Sequence, residues 1–335
     1  MEKAAEIKVE TIGYFHAHSN TSATPDLLPQ KLNSNKQFFE DPDLPVPFID
    51  LKQHVPKIME FRETCLSSLL DYIRQKGYPD GNKPDFVTDR YLLKSIVAPE
   101  ESTIAQVIRM DGVYYIHCLD EEPVGNNGYR WVFKHILTRS SVDDDLDSEP
   151  VIRKGVFKAV VPIGDDGEEK FTVVYSGKVD AIDDNNQHYE IKVASGGADP
   201  YFWENTSYRL YWQALLGDVQ NIIIGARTGK LKGDPKTRFP LNYPPFSIYQ
   251  IQKFDQEEFL KKAKSTLKNR PFKRQFEDGT KDLQDFLELV KSTVKEDGNG
   301  FVFSRTRENP EWKIKKDDDA VAEFRGAILK NIDSE

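Results

Sequence analysis

Long apolar runs are missing from this chain. No segment approaches the roughly 20 residues a membrane-crossing helix needs. The opening Met1-Glu-Lys-Ala-Ala-Glu6 has no apolar core of the kind a secretory signal carries. Cysteine is scarce too: Cys65 and Cys118 are the only two, which excludes a disulfide framework or a cysteine-rich zinc centre. A positive surplus is also absent. Lysine and arginine number 46 against 55 acids, a net charge of −9. No global basic field draws the chain to nucleic acid, so any such site must be a local patch. These absences give the expectation of a soluble protein of the nucleus or cytoplasm with no membrane partner, in which Asn20-Thr-Ser and Asn205-Thr-Ser carry no glycan. Nucleophile motifs are missing as well: no Gly-x-Ser-x-Gly and no Cys–His arrangement is found. Gly225-Ala-Arg-Thr-Gly-Lys230 is one residue short of a phosphate loop and has Leu231 where Ser or Thr belongs. His117, His135 and His188 are far apart in sequence and read as structural.

What is present is a globular composition, 38% hydrophobic and 11% aromatic over 335 residues. No internal repeat or long linker divides it, so the chain reads as one domain over 1–335. Residues 1–50 are expected to be an irregular N-terminal segment, since 20–50 is polar and proline-rich. Ile58, Phe61, Cys65, Leu69 and Ile73 recur at helical spacing, predicting a helix over 56–76 stopped by Gly77. Residues 85–98 are ambiguous between strand and helix. Strands over 105–109 and 113–119 should turn at Asp111-Gly112. A helix is expected over 129–137, and the acidic stretch from Asp143 to Glu149 reads as a solvated loop. Beyond 200 the pattern predicts a helix over 205–216 capped by Asn205 or Ser207 and ended by Gly217. It then predicts a doubly buried strand over 221–226 and a helix bearing Leu283, Phe286, Leu287 and Val290. A strand over 301–303 and a helix bearing Ala320, Phe324 and Ile328 follow.

The chemistry sits in 171–193. Val173, Tyr175, Val179 and Ala181 alternate with Lys178 and Asp180. After the polar turn 183–187, Tyr189, Ile191 and Val193 alternate with His188, Glu190 and Lys192. One antiparallel hairpin would gather Lys178, Asp180, Glu190 and Lys192 on a polar face. An Asp followed by Glu-x-Lys is a restriction-nuclease-like pattern. Its carboxylates hold Mg²⁺ to activate water and neutralise charge on the leaving oxygen, while the lysine contacts water or phosphate. The fold class expected is therefore α+β, with mixed and antiparallel sheets flanked by helices.

Over about 85 to the C-terminus the chain resembles the decapping exoribonuclease family (DXO and its relatives). Phe86-Val-Thr-Asp-Arg90 is similar to the family's first motif. Gly128-Tyr-Arg-Trp-Val132 resembles Gly-Tyr-Lys-Phe-Glu, and Gly177-Lys178-Val179-Asp180 resembles Gly-Glu-Val-Asp. Tyr189-Glu190-Ile-Lys192 resembles the Glu-x-Lys motif. The segment Arg209–Gln213 with Ile222-Ile-Ile-Gly-Ala-Arg227 resembles the glutamine-bearing helix and following strand. The resemblance implies that Arg90, Asp180, Glu190, Lys192 and Gln213 keep site positions, with Asp180 and Glu190 as any metal ligands. It also implies that two acids are replaced, by Val132 and Lys178. In place of Val132, Glu121, Glu122 or Asp143 would have to supply the missing acid under a shifted register. Two acids then face two lysines, and Mg²⁺ or Mn²⁺ is expected to bind weakly or not at all. Lys178 is expected to pair with Asp180 or Glu190 in place of the ion.

For RNA, Arg227, Lys230, Lys232, Lys236 and Arg238 form a basic loop. A second run spans Lys261, Lys262, Lys264, Lys268, Arg270, Lys273 and Arg274, and Tyr201, Phe202 and Trp203 could stack on bases. The leading expectation is an impaired homologue that binds RNA 5′ ends, or a protein partner such as a 5′→3′ exoribonuclease or another RNA-processing factor. The alternatives are a working metal-dependent decapping enzyme and a scaffold that binds no RNA.

Overall fold

The structure, a computed structural model, describes residues 6–18, 22–33, 49–52, 66–78, 81–99, 102–119, 128–138, 152–164, 168–229, 246–268, 274–306 and 308–332. In chain order these form β1 (Lys8–Ala17), β2 (Ala23–Pro25), β3 (Ile49–Asp50), α1 (Ser67–Lys76), β4 (Phe86–Asp89), α2 (Arg90–Val97), β5 (Thr103–Met110), β6 (Val113–Cys118) and α3 (Gly128–Thr138). Next come β7 (Ile152–Ile163), β8 (Glu169–Lys178), β9 (Ala181–Ile182), β10 (His188–Ser195), α4 (Pro200–Asn205), α5 (Ser207–Leu215) and β11 (Val219–Arg227). The chain continues with β12 (Ser247–Asp255), α6 (Gln256–Lys268), α7 (Phe276–Thr293), β13 (Gly300–Arg305), β14 (Lys313–Lys316) and α8 (Ala322–Ile332).

Two mixed sheets carry the fold, in agreement with the expected α+β class. One has nine strands in the order β14-β13-β5-β6-β4-β8-β7-β1-β2, the other five in the order β3-β12-β11-β10-β9. Strand alternation gives the large sheet two apolar faces. Val173 and Tyr175 of β8 point to a core shared with α2, α5 and α7, while Val174 points to a core shared with α1 and α8. The small sheet is covered likewise. Ile222 and Ile224 of β11 pack under α4, α5 and α6, and Ile223 packs under α3. β11 is thus apolar on both faces, as its unbroken isoleucine run predicts, and each buried isoleucine contributes about 1.5–3 kcal/mol.

The ambiguous stretch 85–98 is both things in turn. β4 ends at Asp89, whose carboxylate accepts from the Leu92 amide at 2.7 Å and starts α2 at Arg90. The Asp111-Gly112 turn forms with both residues at positive φ, 50° and 81°. Gly77 closes α1 at φ 78°, donating to Ile73 O at 2.7 Å. Residues 56–65 of that predicted helix, with Ile58, Phe61 and Cys65, and the acidic stretch 143–149 lie outside the described residues.

Four expectations need correction. Residues 1–50 are not simply irregular: β1 pairs with β7 from Lys8↔Val160 to Ala17↔Ile152, so this segment is built into the large sheet. The helix over 205–216 is two helices broken at Thr206. Neither expected cap acts as one, because Asn205 Nδ2 donates back to Tyr201 O and Ser207 Oγ back to Trp203 O. Ala320 lies in the exposed turn ahead of α8, not on its buried stripe. The most consequential correction is the hairpin. β8 stays in the large sheet between β4 and β7, and the chain leaves at Val179-Asp180 to enter the small sheet as β9. Only Ala181↔Tyr189 and Ile182↔His188 pair across the 183–187 turn. Lys178 and Asp180 therefore belong to different surroundings despite their spacing of two.

Candidate active-site cleft

Asp180 sits at this crossing between sheets. Its Oδ2 accepts from the Ile191 amide at 3.0 Å, which orients the carboxylate over β10. Its Oδ1 meets Lys134 Nζ of α3 at 2.9 Å, both side chains being about one-fifth exposed at 20%. Alternation along β10 places Glu190 and Lys192 on one face and Tyr189, Ile191 and Val193 on the other, against α3. Glu190 is nearly closed off, 4% exposed, and its Oε1 accepts from Lys192 Nζ at 2.8 Å and from Gln213 Nε2 of α5 at 2.9 Å. Arg90, first residue of α2, donates from Nη2 to Lys178 O at 2.6 Å, and its charge acts on Glu190. Glycines make room for that guanidinium: a Cβ on Gly177 would come within 2.6 Å of Nε, and one on Gly217 within 2.4 Å of Nη1.

Burial pushes the Asp180 carboxyl up. Lys134, Lys192 and the Ile191 amide outweigh that and hold it well below the usual carboxylate range. Glu190 is pushed up by burial, with Lys192 and Arg90 opposing and Asp180 adding to the rise. The retained motif residues Arg90, Asp180, Glu190, Lys192 and Gln213 thus do meet in one place.

A cation that no motif marked takes part in the neutralisation. Lys134 and Lys192 supply charges that act on Asp180. Lys178 ends β8 in register with Lys154 of β7, on the face of the large sheet that packs α1. Lys154 is buried beside Ser68 Oγ at 3.3 Å, and burial, aided by Lys178, lowers its amine to about 7. Val132 is buried against Ala181, Tyr189 and Ile191, so its side chain faces the apolar cluster and not the carboxylates. Lys134 was missed because no motif marks it; only the rotation of α3 about its axis brings it to Asp180. Glu121, Glu122 and Asp143 lie outside the described residues.

These residues do not fit a divalent ion. Mg²⁺ and Mn²⁺ need carboxylates turned to them, and here each carboxylate is already bridged by an ammonium. Among the described residues no three His, Cys, Asp or Glu side chains gather in a way that could hold a metal.

The expected RNA contacts divide. Arg227 is the buried last residue of β11, not part of a loop surface. Its guanidinium lies 5.1 Å from the Tyr129 ring and 5.6 Å from that of Phe246, and Nη1 donates to Gly229 O at 2.9 Å. Lys230, Lys232, Lys236 and Arg238 lie outside the described residues. Phe202 and Trp203 are core residues, leaving Tyr201 exposed. In the second run Lys262 covers the Trp203 ring at 4.8 Å, Lys264 pairs with Glu277 at 3.6 Å and Arg274 pairs with Asp282. Those three serve packing and helix pairing. His188 is structural: Tyr14 Oη lies 2.8 Å from Nε2 and Gly217 O 2.8 Å from Nδ1, and burial lowers its pKa. His117 is partly buried near the Phe324 ring, and desolvation lowers its pKa to about 4.

This arrangement of two mixed sheets flanked by helices is the fold shared with solved Rai1 and Dxo1 structures of the DXO family. Among solved structures, the chain is similar to S. pombe Rai1, at 17% identity and TM-score 0.69 over 93% of this chain and 95% of that one. It is also similar to Candida albicans Rai1 in complex with pU5-Mn²⁺, at 13% identity and TM-score 0.69 over 98% and 97%. A third is K. lactis Dxo1 in complex with manganese, at 13% identity and TM-score 0.61 over 95% and 92%. No family model and no curated protein sequence matches the chain. Among the described residues no helix is long and apolar enough to cross a membrane.

Proposed function

We propose that this protein is an impaired decapping-nuclease homologue that holds RNA 5′ ends in the cleft at Asp180 and does not hydrolyse them. The observation that carries this is Lys134 Nζ at 2.9 Å from Asp180 Oδ1, an ammonium where the chemistry calls for a divalent cation. Without an ion no water is activated and no charge on a leaving oxygen is neutralised. What the remaining side chains can do is position. Lys192 and Gln213 fix Glu190, and Arg90 ties α2 to the end of β8. The solved C. albicans Rai1 is in complex with pU5-Mn²⁺, which supports RNA as a ligand of this protein.

The test is incubation with 5′-triphosphate and capped RNA in Mg²⁺ or Mn²⁺, alongside calorimetric titration of Mn²⁺. No turnover and no heat of binding are expected. Robust cleavage that Asp180→Ala abolishes would establish the working enzyme instead.

A further inference from the structure

The cleft's cations have an arrangement of their own. Lys134 Nζ, Asp180, Lys192 Nζ and Glu190 alternate in sign, each ammonium held by one carboxylate oxygen. The two lysines come from different elements, α3 and β10; Lys134 bridges Asp180, Lys192 bridges Glu190, and both charges act on Asp180. Each retains solvent access, 20% for Lys134 and 29% for Lys192. The second oxygen of Asp180 is held by the Ile191 amide, while the Gln213 amide shares Glu190 Oε1 with Lys192. An ammonium has three N–H donors, and the carboxylate takes one. With the Arg90 charge also acting on Glu190, three cations act on two acids, in a chain whose net charge is −9.

Such an arrangement offers N–H donors to a phosphate rather than open carboxylates to a metal ion. We propose that Lys134 and Lys192 grip the terminal phosphate of a 5′-phosphorylated RNA directly, so that end recognition in this protein needs no divalent metal. The proposal rests on the 5′-end reading above and adds which group is recognised, by which residues and without which ion. Charge-assisted N–H···O bonds to phosphate are the stronger class. Their directionality would favour an end bearing phosphate over one bearing hydroxyl, whereas contacts to internal phosphates would not discriminate.

The experiment is fluorescence anisotropy with one short oligoribonucleotide in two forms, 5′-monophosphate and 5′-hydroxyl, in EDTA and then in Mn²⁺. Inorganic phosphate serves as a competitor in a separate arm. The expected result is roughly tenfold tighter binding of the 5′-phosphate form in EDTA, the size of one bond to a charged group, with no gain on adding Mn²⁺. Lys134→Met and Lys192→Met should each erase most of that preference, and Lys134→Arg should keep it; circular dichroism confirms that each variant folds. Competition by millimolar inorganic phosphate supports the same grip, while competition only by the phosphorylated oligonucleotide would refute phosphate as the recognised group. Equal affinity for both ends overturns the proposal and leaves RNA binding intact. A preference that appears only with Mn²⁺ overturns it together with the loss of the metal. Absence of RNA binding in every arm overturns the 5′-end reading itself.

Discussion

Lys154 illustrates how much a single buried charge can set. Its amine is lowered to about 7 by burial, with Lys178 adding to the effect, while an unfolded lysine titrates near 10.4. Between those values the unfolded chain holds a proton that the folded one has given up, so stability rises with pH across that window. The penalty is fully present below about pH 7. Lys154→Met should therefore stabilise the protein at pH 6.5, by roughly 1–4 kcal/mol as for other buried charges replaced by apolar residues. The gain should shrink as pH approaches about 10. Thermal melts at the two pH values measure this, and an advantage that does not change with pH would contradict it. Gly177 makes a second residue-scale case. Since a Cβ there would meet Arg90 Nε at 2.6 Å and Cβ at 2.9 Å, Gly177→Ala should cost about 1–3 kcal/mol by overpacking. It should also weaken RNA binding by shifting Arg90, and denaturant melts with anisotropy would show whether the two losses go together.

At the scale of elements, α3 decides the character of the cleft. Val132 and Lys134 are two residues apart on a helix with 3.6 residues per turn, so they face different ways. Val132 enters the apolar cluster and Lys134 reaches Asp180. Val132→Glu is therefore expected to bury a carboxylate among Ala181, Tyr189 and Ile191 and to destabilise by about 2–4 kcal/mol. It should not create a metal site. Lys134→Glu should fold and bring a third carboxylate to Asp180 and Glu190, giving Mn²⁺ binding that calorimetry can measure. Metal binding by Val132→Glu and not by Lys134→Glu would show that α3 is rotated from the position described. The chain's passage between sheets at Val179-Asp180 is the other element-scale feature. It ends β8 at Lys178 and carries Asp180 towards the small sheet, where Lys134 meets Asp180 and Lys192 meets Glu190.

For the whole molecule, the net charge of −9 makes the cleft a small positive spot in a repelling field. If Lys134 and Lys192 make the phosphate contacts, two neutralised phosphate charges predict a slope of about −1.4 in log affinity against log salt for single-stranded RNA. A slope steeper than about −3 would mean that further cations, such as Lys230, Lys232, Lys236 and Arg238, track the strand. Anisotropy titrations between low and physiological salt give the slope directly.

Much of this was legible in the order of residues. Strand alternation in 188–193, the Asp111-Gly112 turn, the isoleucine run of β11 and the apolar stripe of α7 are local patterns, fixed by the periods of strand and helix, and the structure follows them. Asp180, Glu190, Lys192, Gln213 and Arg90 could be named because each belongs to a short run of residues that carries the family resemblance. Other features depend on how elements meet. Nothing local says that β8 and β9 belong to different sheets, that the first strand closes against β7, or that Arg227 is clamped between Tyr129 and Phe246. Nor does local sequence say which helical face of α3 looks at Asp180. An ion pair between residues 46 positions apart exists only once two sheets and a helix have packed. The charge balance of the cleft was therefore set by tertiary structure, although the sequence alone supplied its two acids.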